Sequence, residues 1–501
     1  MKRNKDSIMR LYLKGHDCKY AVEQMLLTLY PGERPEYTDS APEGDGAVVS
    51  LSVGAKLVTS RCRLTVGGET FHGRSSALRS DYFADPLSPQ RVAQRLVKLS
   101  FYRAAVSQSG CRPAWGSITG IRPAKLMTAL LEHGLSERAA LTEFMRLYDT
   151  DFDKAKLCLA ASRASADAAA GLAERDVCLY IGIPFCPTRC AYCSFVSQSV
   201  AKSLGLIEPF LAALRREMEA TAETVAGLGL RVRAVYVGGG TPTTLSPEQL
   251  GRLCSWLGEL FDLGACSEIC VEAGRPDTVT EEKLAVLRGG GVGRISINPQ
   301  TMSDEVLRLI GRGHTAADIV RAYETARDVG GFIINMDLIA GLPGDTTESF
   351  SHTLTEVLAL GPENITVHNL ALKKGSAITL SGAPQATADD VAAELRETQR
   401  RLSAAGYVPY YLYRQKFTSG GFENVGWCKK GCENLYNVCI MEELCSIIAM
   451  GGGASTKLVS PTGRIERIFC PKYPKEYIEG IDKVCAAKKG IEEFYHAILS
   501  E

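Results

Sequence analysis

The chain has 501 residues, 45% hydrophobic and 23% charged, ordinary globular composition at a length that suits roughly two to four domain-sized units. Its 57 basic and 57 acidic residues cancel, so no bulk field favours nucleic acid or an anionic membrane surface as a partner. The charged N-terminus is followed by no long apolar stretch, and no run approaches about 18 apolar residues, so neither a cleaved signal peptide nor a membrane-spanning helix is expected.

Residues 1–175 read as an α+β module. A short strand at 8–13 precedes an amphipathic helix at about 17–30 and a Pro/Gly/Glu-rich loop at 31–46. Two strand-like runs follow at 47–53 and 57–66, and then helices through about Gly171. The Gly/Pro-punctuated stretch 113–125 reads as a turn that packs Trp115 and leads into a helix, with Arg122 and Lys125 as candidate anion contacts. No chemistry is legible in this module. The composition breaks near 172–178, where Ala-rich helical sequence gives way to an apolar strand.

That strand leads directly into Pro184-Phe-Cys-Pro-Thr-Arg-Cys-Ala-Tyr-Cys193. Cys186, Cys190 and Cys193 put three thiolates on one tight loop, which suits an iron–sulfur cluster with one iron left open, since such clusters usually take four cysteines. Zinc sites normally pair C-x2-C units, and buried thiols need no such spacing. Seventeen cysteines without a secretion signal read as reduced thiols and metal ligands, which places the protein in the cytoplasm.

From 179 to about 370, strand-like runs at 179–183, 234–237, 268–272, 294–297, 333–338 and 364–368 alternate with helical patterns. Such alternation predicts six parallel βα units, an α/β incomplete barrel with its ligand site at the C-terminal ends of the strands. Each remaining motif falls at such an end. Gly238-Gly-Gly-Thr-Pro-Thr243 follows the second strand and exposes backbone groups to a ligand. Glu272 ends the third, where a carboxylate can accept from ribose hydroxyls. Gln300 follows the fourth, with Arg312 on the next helical segment. Asp337 sits in the apolar fifth strand and needs a partner if buried. His368 ends the sixth, open to a site role or to packing.

The last part, 385–501, reads as a helix at 389–405, a strand at 407–413 and a closing helical tail. Tyr407, Tyr410, Tyr411 and Tyr413 offer either a flat-ligand surface or edge packing. Cys428, Cys432, Cys439 and Cys445 follow no iron–sulfur spacing.

The C-x3-C-x2-C loop with Tyr192 before its last cysteine resembles the radical S-adenosylmethionine (SAM) enzymes. That resemblance implies a 4Fe–4S cluster on Cys186, Cys190 and Cys193, with SAM chelated to the open iron. Tyr180, the Gly-Gly-Gly-Thr-Pro-Thr loop, Gln300, Arg312 and Asp337-Leu-Ile-Ala-Gly-Leu-Pro343 look like the oxygen-independent coproporphyrinogen III oxidase (dehydrogenase) family. The likeness runs from about 177 to 460 and includes Glu423-Asn-Val-Gly426 and Gly451-Gly-Gly-Ala-Ser455. It implies a radical SAM core at 176–384 and a C-terminal domain of that family at 385–501. It further implies that Tyr180, Gly239 and Glu272 contact the cluster-bound SAM. Tyr192, Gly240, Thr241, Gln300, Arg312, Asp337 and Ala371 match the side of a second SAM or the substrate. The implied reaction turns two propionates of coproporphyrinogen III into vinyls, with an electron donor such as flavodoxin or ferredoxin. Arg312, Lys373 and Lys374 are candidate holders of a propionate.

Two features depart from the family pattern. The enzymes carry a further cysteine two residues after the third ligand, whereas this chain reads Cys193-Ser-Phe195, a form shared with related heme-trafficking chaperones. The N-terminal module matches a longer branch of the family. A heme carrier and another tetrapyrrole-directed radical enzyme therefore stand beside the dehydrogenase.

Overall fold

The computed structural model describes residues 7–85, 88–193, 198–199, 203–371, 386–415 and 419–499. The chain divides into two compact units, residues 1–159 and 160–501.

In the first unit a sheet runs in the order β2-β1-β3-β4-β5. Its strands are β1 (Ser7–Lys14), β2 (Glu33–Tyr37), β3 (Gly46–Val53), β4 (Leu57–Val66) and β5 (Glu69–Leu78). β1 pairs parallel with β2 and β3, and the rest is antiparallel. The helices Lys19–Leu29 and Ser88–Ser109 cover one face, around Leu11, Met25, Leu26, Leu64 and Phe101. Two expectations are corrected here. The loop at 31–46 contains β2, and a fifth strand precedes the helices. β5 escapes an apolar-alternation reading because its inward positions are Gly73 and Ser75. A Cβ on Gly73 would lie 1.9 Å from the Ser100 carbonyl oxygen, so helix and strand touch only because no side chain intervenes. Trp115 is buried, and the helix Ala124–Glu132 starts after Pro123, as the turn reading expects.

The second unit is built on one large sheet. β6 (Asp176–Ile183) leads into the two-residue strands β7 (Phe185–Cys186) and β8 (Gln198–Ser199), which pair with each other. β9 (Arg231–Gly239), β10 (Glu268–Glu272), β11 (Arg294–Ser296), β12 (Ile333–Ala340) and β13 (Asn364–Asn369) follow, each after at least one helix. Together with β6 they form six parallel neighbours, with helices between them, which is the α/β radical SAM fold expected. β6 and β13 are buried along almost their whole length, as strands covered on both faces are.

The C-terminal segment extends both edges of this sheet. β14 (Val408–Arg414) and β15 (Glu423–Cys428) add antiparallel beyond β13. β16 (Ser446–Gly451) adds parallel to β6, and β17 (Ser455–Val459) and β18 (Ile465–Phe469) continue antiparallel. The expected helical tail is thus confined to helices after residue 473, and 423–469 carries four strands. Short, fully buried runs such as Ser446–Gly451 have no period to read, so strand and helix look alike in sequence. Between β15 and β16 the helix Leu435–Glu442 packs against β9, β14 and β16. Among the described residues no helix is long and apolar enough to cross a membrane.

Candidate functional site

A cavity of about 690 Å³ opens at the C-terminal ends of the parallel strands. The residues expected from the resemblance to hold the cluster and SAM line it: Cys186, Cys190 and Cys193 with Tyr180, Tyr192, Gly239, Gly240, Thr241, Glu272, Gln300, Arg312, Asp337 and Ala371. Lys373 and Lys374 lie outside the described residues.

The cysteine loop is tied to its neighbours through backbone bonds. Gly240 N–H donates to the Ile183 carbonyl at 2.8 Å, Thr241 N–H to Phe185 at 2.7 Å and Ala191 N–H to Ile310 at 3.0 Å. Two side chains donate to the sulfurs themselves, Thr241 Oγ1 to Cys186 at 3.5 Å and Arg275 Nη1 to Cys190 at 3.7 Å. Arg275 is buried and grips Asp277 with both arms, at 3.0 and 3.1 Å. Burial opposes the charge on Asp277, yet His314 and Arg275 outweigh it and hold the carboxyl at about 2. A fixed guanidinium beside Cys190 stabilises thiolate charge.

The glycine loop leaves a bare strip beside the cysteines. Gly239 has φ +103°, which side-chain-bearing residues rarely adopt. A Cβ on Gly240 would stand 2.5 Å from the Phe185 carbonyl oxygen, and one on Gly238 would meet Glu272. Glu272 accepts from Tyr236 Oη at 2.7 Å. Burial lifts its carboxyl to about 7, with the Tyr236 bond pulling the other way. Below it Tyr180, Tyr236 and Tyr436 form a stacked group, with the closest centroids, Tyr236 and Tyr436, 4.6 Å apart. Three sulfurs on a cavity rim, two donors aimed at them and a strip a Cβ would fill suit a cluster and a ligand approaching its open iron.

Across the cavity, Asp337 is held by Asn335 Nδ2 at 2.7 Å and faces His368 Nε2 at 3.7 Å. Burial works against its charge, but His368, Asn335 and Thr366 keep the carboxyl below its ordinary range. His368 Nδ1 meets Tyr413 Oη at 3.4 Å, so both ring nitrogens face partners. Tyr411 and Tyr413, on the same face of β14, stack at 6.5 Å and line the cavity, whereas Tyr407 and Tyr410 are buried elsewhere. Gln300 has φ +69° and bridges to β12, its N–H donating to the Asp337 carbonyl at 2.9 Å. That strained backbone at the rim has a cost of about 1–3 kcal/mol and marks a position the fold over-determines.

Arg312 is buried, and its Nη atoms are engaged, by Tyr192 Oη at 2.8 Å and by the carbonyls of Gly274 and Asn298. Among the described residues its Nε has no hydrogen-bond partner. Arg312 therefore orients Tyr192 and two backbone segments before it can reach a carboxylate. Sequence reasoning missed Arg275, Asn298, Asn335, Tyr236 and Tyr436. Arg275 had a signal, Gly274-Arg-Pro-Asp277 immediately after a strand end.

The chain is similar to known proteins over this same region. The radical SAM superfamily model matches residues 180–357. The oxygen-independent coproporphyrinogen-III oxidase-like protein HemZ of Bacillus subtilis is 37% identical over 442 residues, 86% of this chain and 88% of that one. The heme chaperone HemW of the same organism is 37% identical over 196 residues, 39% of this chain and 50% of the chaperone. In structure, coproporphyrinogen III oxidase (HemN) from Escherichia coli aligns with a TM-score of 0.51 at 26% identity, over 64% of this chain and 72% of that one.

Proposed function

Since the chain belongs to the radical SAM superfamily, among the oxygen-independent coproporphyrinogen-III oxidase-like proteins, we propose that it oxidatively decarboxylates the two propionates of coproporphyrinogen III. Its cofactors are a 4Fe–4S cluster and SAM. When bound, they supply a carbon radical able to remove a hydrogen atom from an unactivated position.

Cys186, Cys190 and Cys193 hold the cluster, and Arg275 and Thr241 steady two of the sulfurs. The backbone of 238–240 and the Glu272 carboxylate hold SAM. Asn335 and His368 keep the Asp337 carboxylate in one orientation at the opposite wall. Each turnover removes one hydrogen atom from the propionate carbon next to the ring. Loss of CO2 and one electron then leaves a vinyl group, so an electron acceptor completes the balance. The residues' task is placement, because reaction depends on the propionate lying within near-attack distance.

One observation carries this reading. A single cavity joins the thiol rim to the stacked Tyr411–Tyr413 wall, a surface suited to a flat macrocycle. A heme carrier is the second reading, favoured by Ser194 and Phe195 after the third cysteine. A carrier that ligates heme iron through a histidine needs a free ring nitrogen, and both nitrogens of His368 face partners. The seventeen free thiols support a reducing, cytoplasmic setting, and a small reduced electron carrier is the proposed donor. Anaerobic protein given SAM, a reductant and coproporphyrinogen III should release 5′-deoxyadenosine and a decarboxylated product. Tight stoichiometric heme binding without either product would establish the carrier instead.

A further inference from the structure

A second trio of cysteines lies at the other end of β6. Cys178, near the start of that strand, meets Cys439 of the helix Leu435–Glu442 and Cys445, the residue before β16. The three sulfurs lie within 4.8 Å of one another, and Cys178 and Cys445 are 3.8 Å apart. All three are buried among Ala234, Tyr436 and Ile447. The arrangement is fixed from several sides. Ile447 pairs with Cys178 in the sheet, Leu444 N–H donates to the Cys439 carbonyl at 3.2 Å, and Glu443 turns the chain back with φ +59°.

We propose that these three thiolates bind one thiophilic d10 metal ion, zinc(II) or copper(I). With Zn–S near 2.3 Å, sulfurs of a tetrahedral site stand about 3.8 Å apart, which is the separation of Cys178 and Cys445. Soft thiolates select these ions over harder ones. The sulfurs are too close together for each to hold its own iron of a cluster, so the ion is mononuclear. Among the described residues no His, Asp, Glu or further Cys joins them, leaving a fourth place for water on zinc and none required on copper(I). Binding displaces three thiol protons to solvent, so three Zn–S or Cu–S bonds replace three S–H bonds with no change in oxidation state. The site is separate from the cluster loop, since Cys178 and Ile183 at the end of β6 are about 17 Å apart along an extended strand. Its role is positional. The helix it fastens carries Tyr436, whose ring stacks on Tyr236 beneath the cavity.

The test uses the full chain with Cys186, Cys190 and Cys193 replaced by Ala, so that cluster iron does not interfere. After chelation, zinc(II) and copper(I) are added in separate anaerobic arms and retained metal is measured on the desalted protein. One equivalent should remain in at least one arm. It should be lost in Cys439→Ser and kept in Cys428→Ser, which alters a C-terminal cysteine outside the trio. If Cys439→Ser does not fold, X-ray absorption at the edge of the metal bound to the Cys439-containing chain decides, with about three sulfur neighbours near 2.3 Å expected. No retained ion in either arm, fewer than two sulfur neighbours, or an intact mass showing a Cys178–Cys445 disulfide overturns the proposal.

Discussion

The two cysteine trios lie toward opposite ends of β6 and differ in almost everything that surrounds them. Cys186, Cys190 and Cys193 are half-buried on a cavity rim, with a guanidinium and a hydroxyl donating to their sulfurs. Cys178, Cys439 and Cys445 are buried among apolar side chains and contact each other. Charge on the outer sulfurs is met by donors and by solvent, which suits a cluster that must accept electrons and meet a second ligand. Among the described residues no guanidinium or hydroxyl donates to the inner sulfurs, which meet one another instead. They suit neutral thiols or a closed site in which the cation offsets part of the charge, three thiolates leaving a net charge of −1 on zinc(II) and −2 on copper(I).

The largest expected effect separates the two trios outright. Replacing Cys186, Cys190 and Cys193 together with Ala should remove about four irons per chain and all SAM cleavage, in keeping with a cluster held by thiolates. Iron measured on anaerobically reconstituted protein checks this, and full retention of iron would move the cluster elsewhere. Next in size, Gly239→Val forces a β-branched residue to φ +103° and should keep the iron while abolishing 5′-deoxyadenosine release under dithionite. Undiminished release would show that this loop does not hold SAM.

Smaller again is the contribution of the outer donors. Arg275→Gln should lower SAM cleavage or cluster retention by about 10–100-fold, the usual effect of losing a group that supports a metal ligand. An unchanged rate and iron content would make the Arg275 contact to Cys190 incidental. The mildest effect concerns Glu272. Its folded carboxyl titrates near 7, above the ordinary carboxylate range, so its contribution to stability is full in acid and is lost as pH rises through 7. SAM binding should run the opposite way, strengthening several-fold as the carboxylate forms and accepts hydroxyl hydrogen bonds. Denaturation and SAM titration from pH 5 to 8, with Glu272→Gln as the flat reference, measure both slopes. Parallel slopes in wild type and variant would remove Glu272 from the SAM contact.

The same contrast explains what was legible in the sequence. The outer trio is written within eight residues, and the six parallel strands announce themselves as strand-like runs with motifs at their ends. The inner trio joins residues 267 apart, through a strand pairing between β6 and β16 that no local pattern encodes. β5 is hidden because small residues face its helix, and β15 and β16 because fully buried strands carry no clear period. Arg275 was passed over for a related reason. Its meaning depends on Cys190, 85 residues earlier, and not on its own neighbours.

The proposed activity is tested most directly by the product. Reconstituted protein under anaerobic conditions, with SAM, a strong reductant and an electron acceptor, receives coproporphyrinogen III and the tetrapyrrole is followed by mass. The account predicts a tripropionate and then a dipropionate product, each step losing one CO2 and two hydrogens relative to the acid form. 5′-Deoxyadenosine release beside an unchanged porphyrinogen would contradict it.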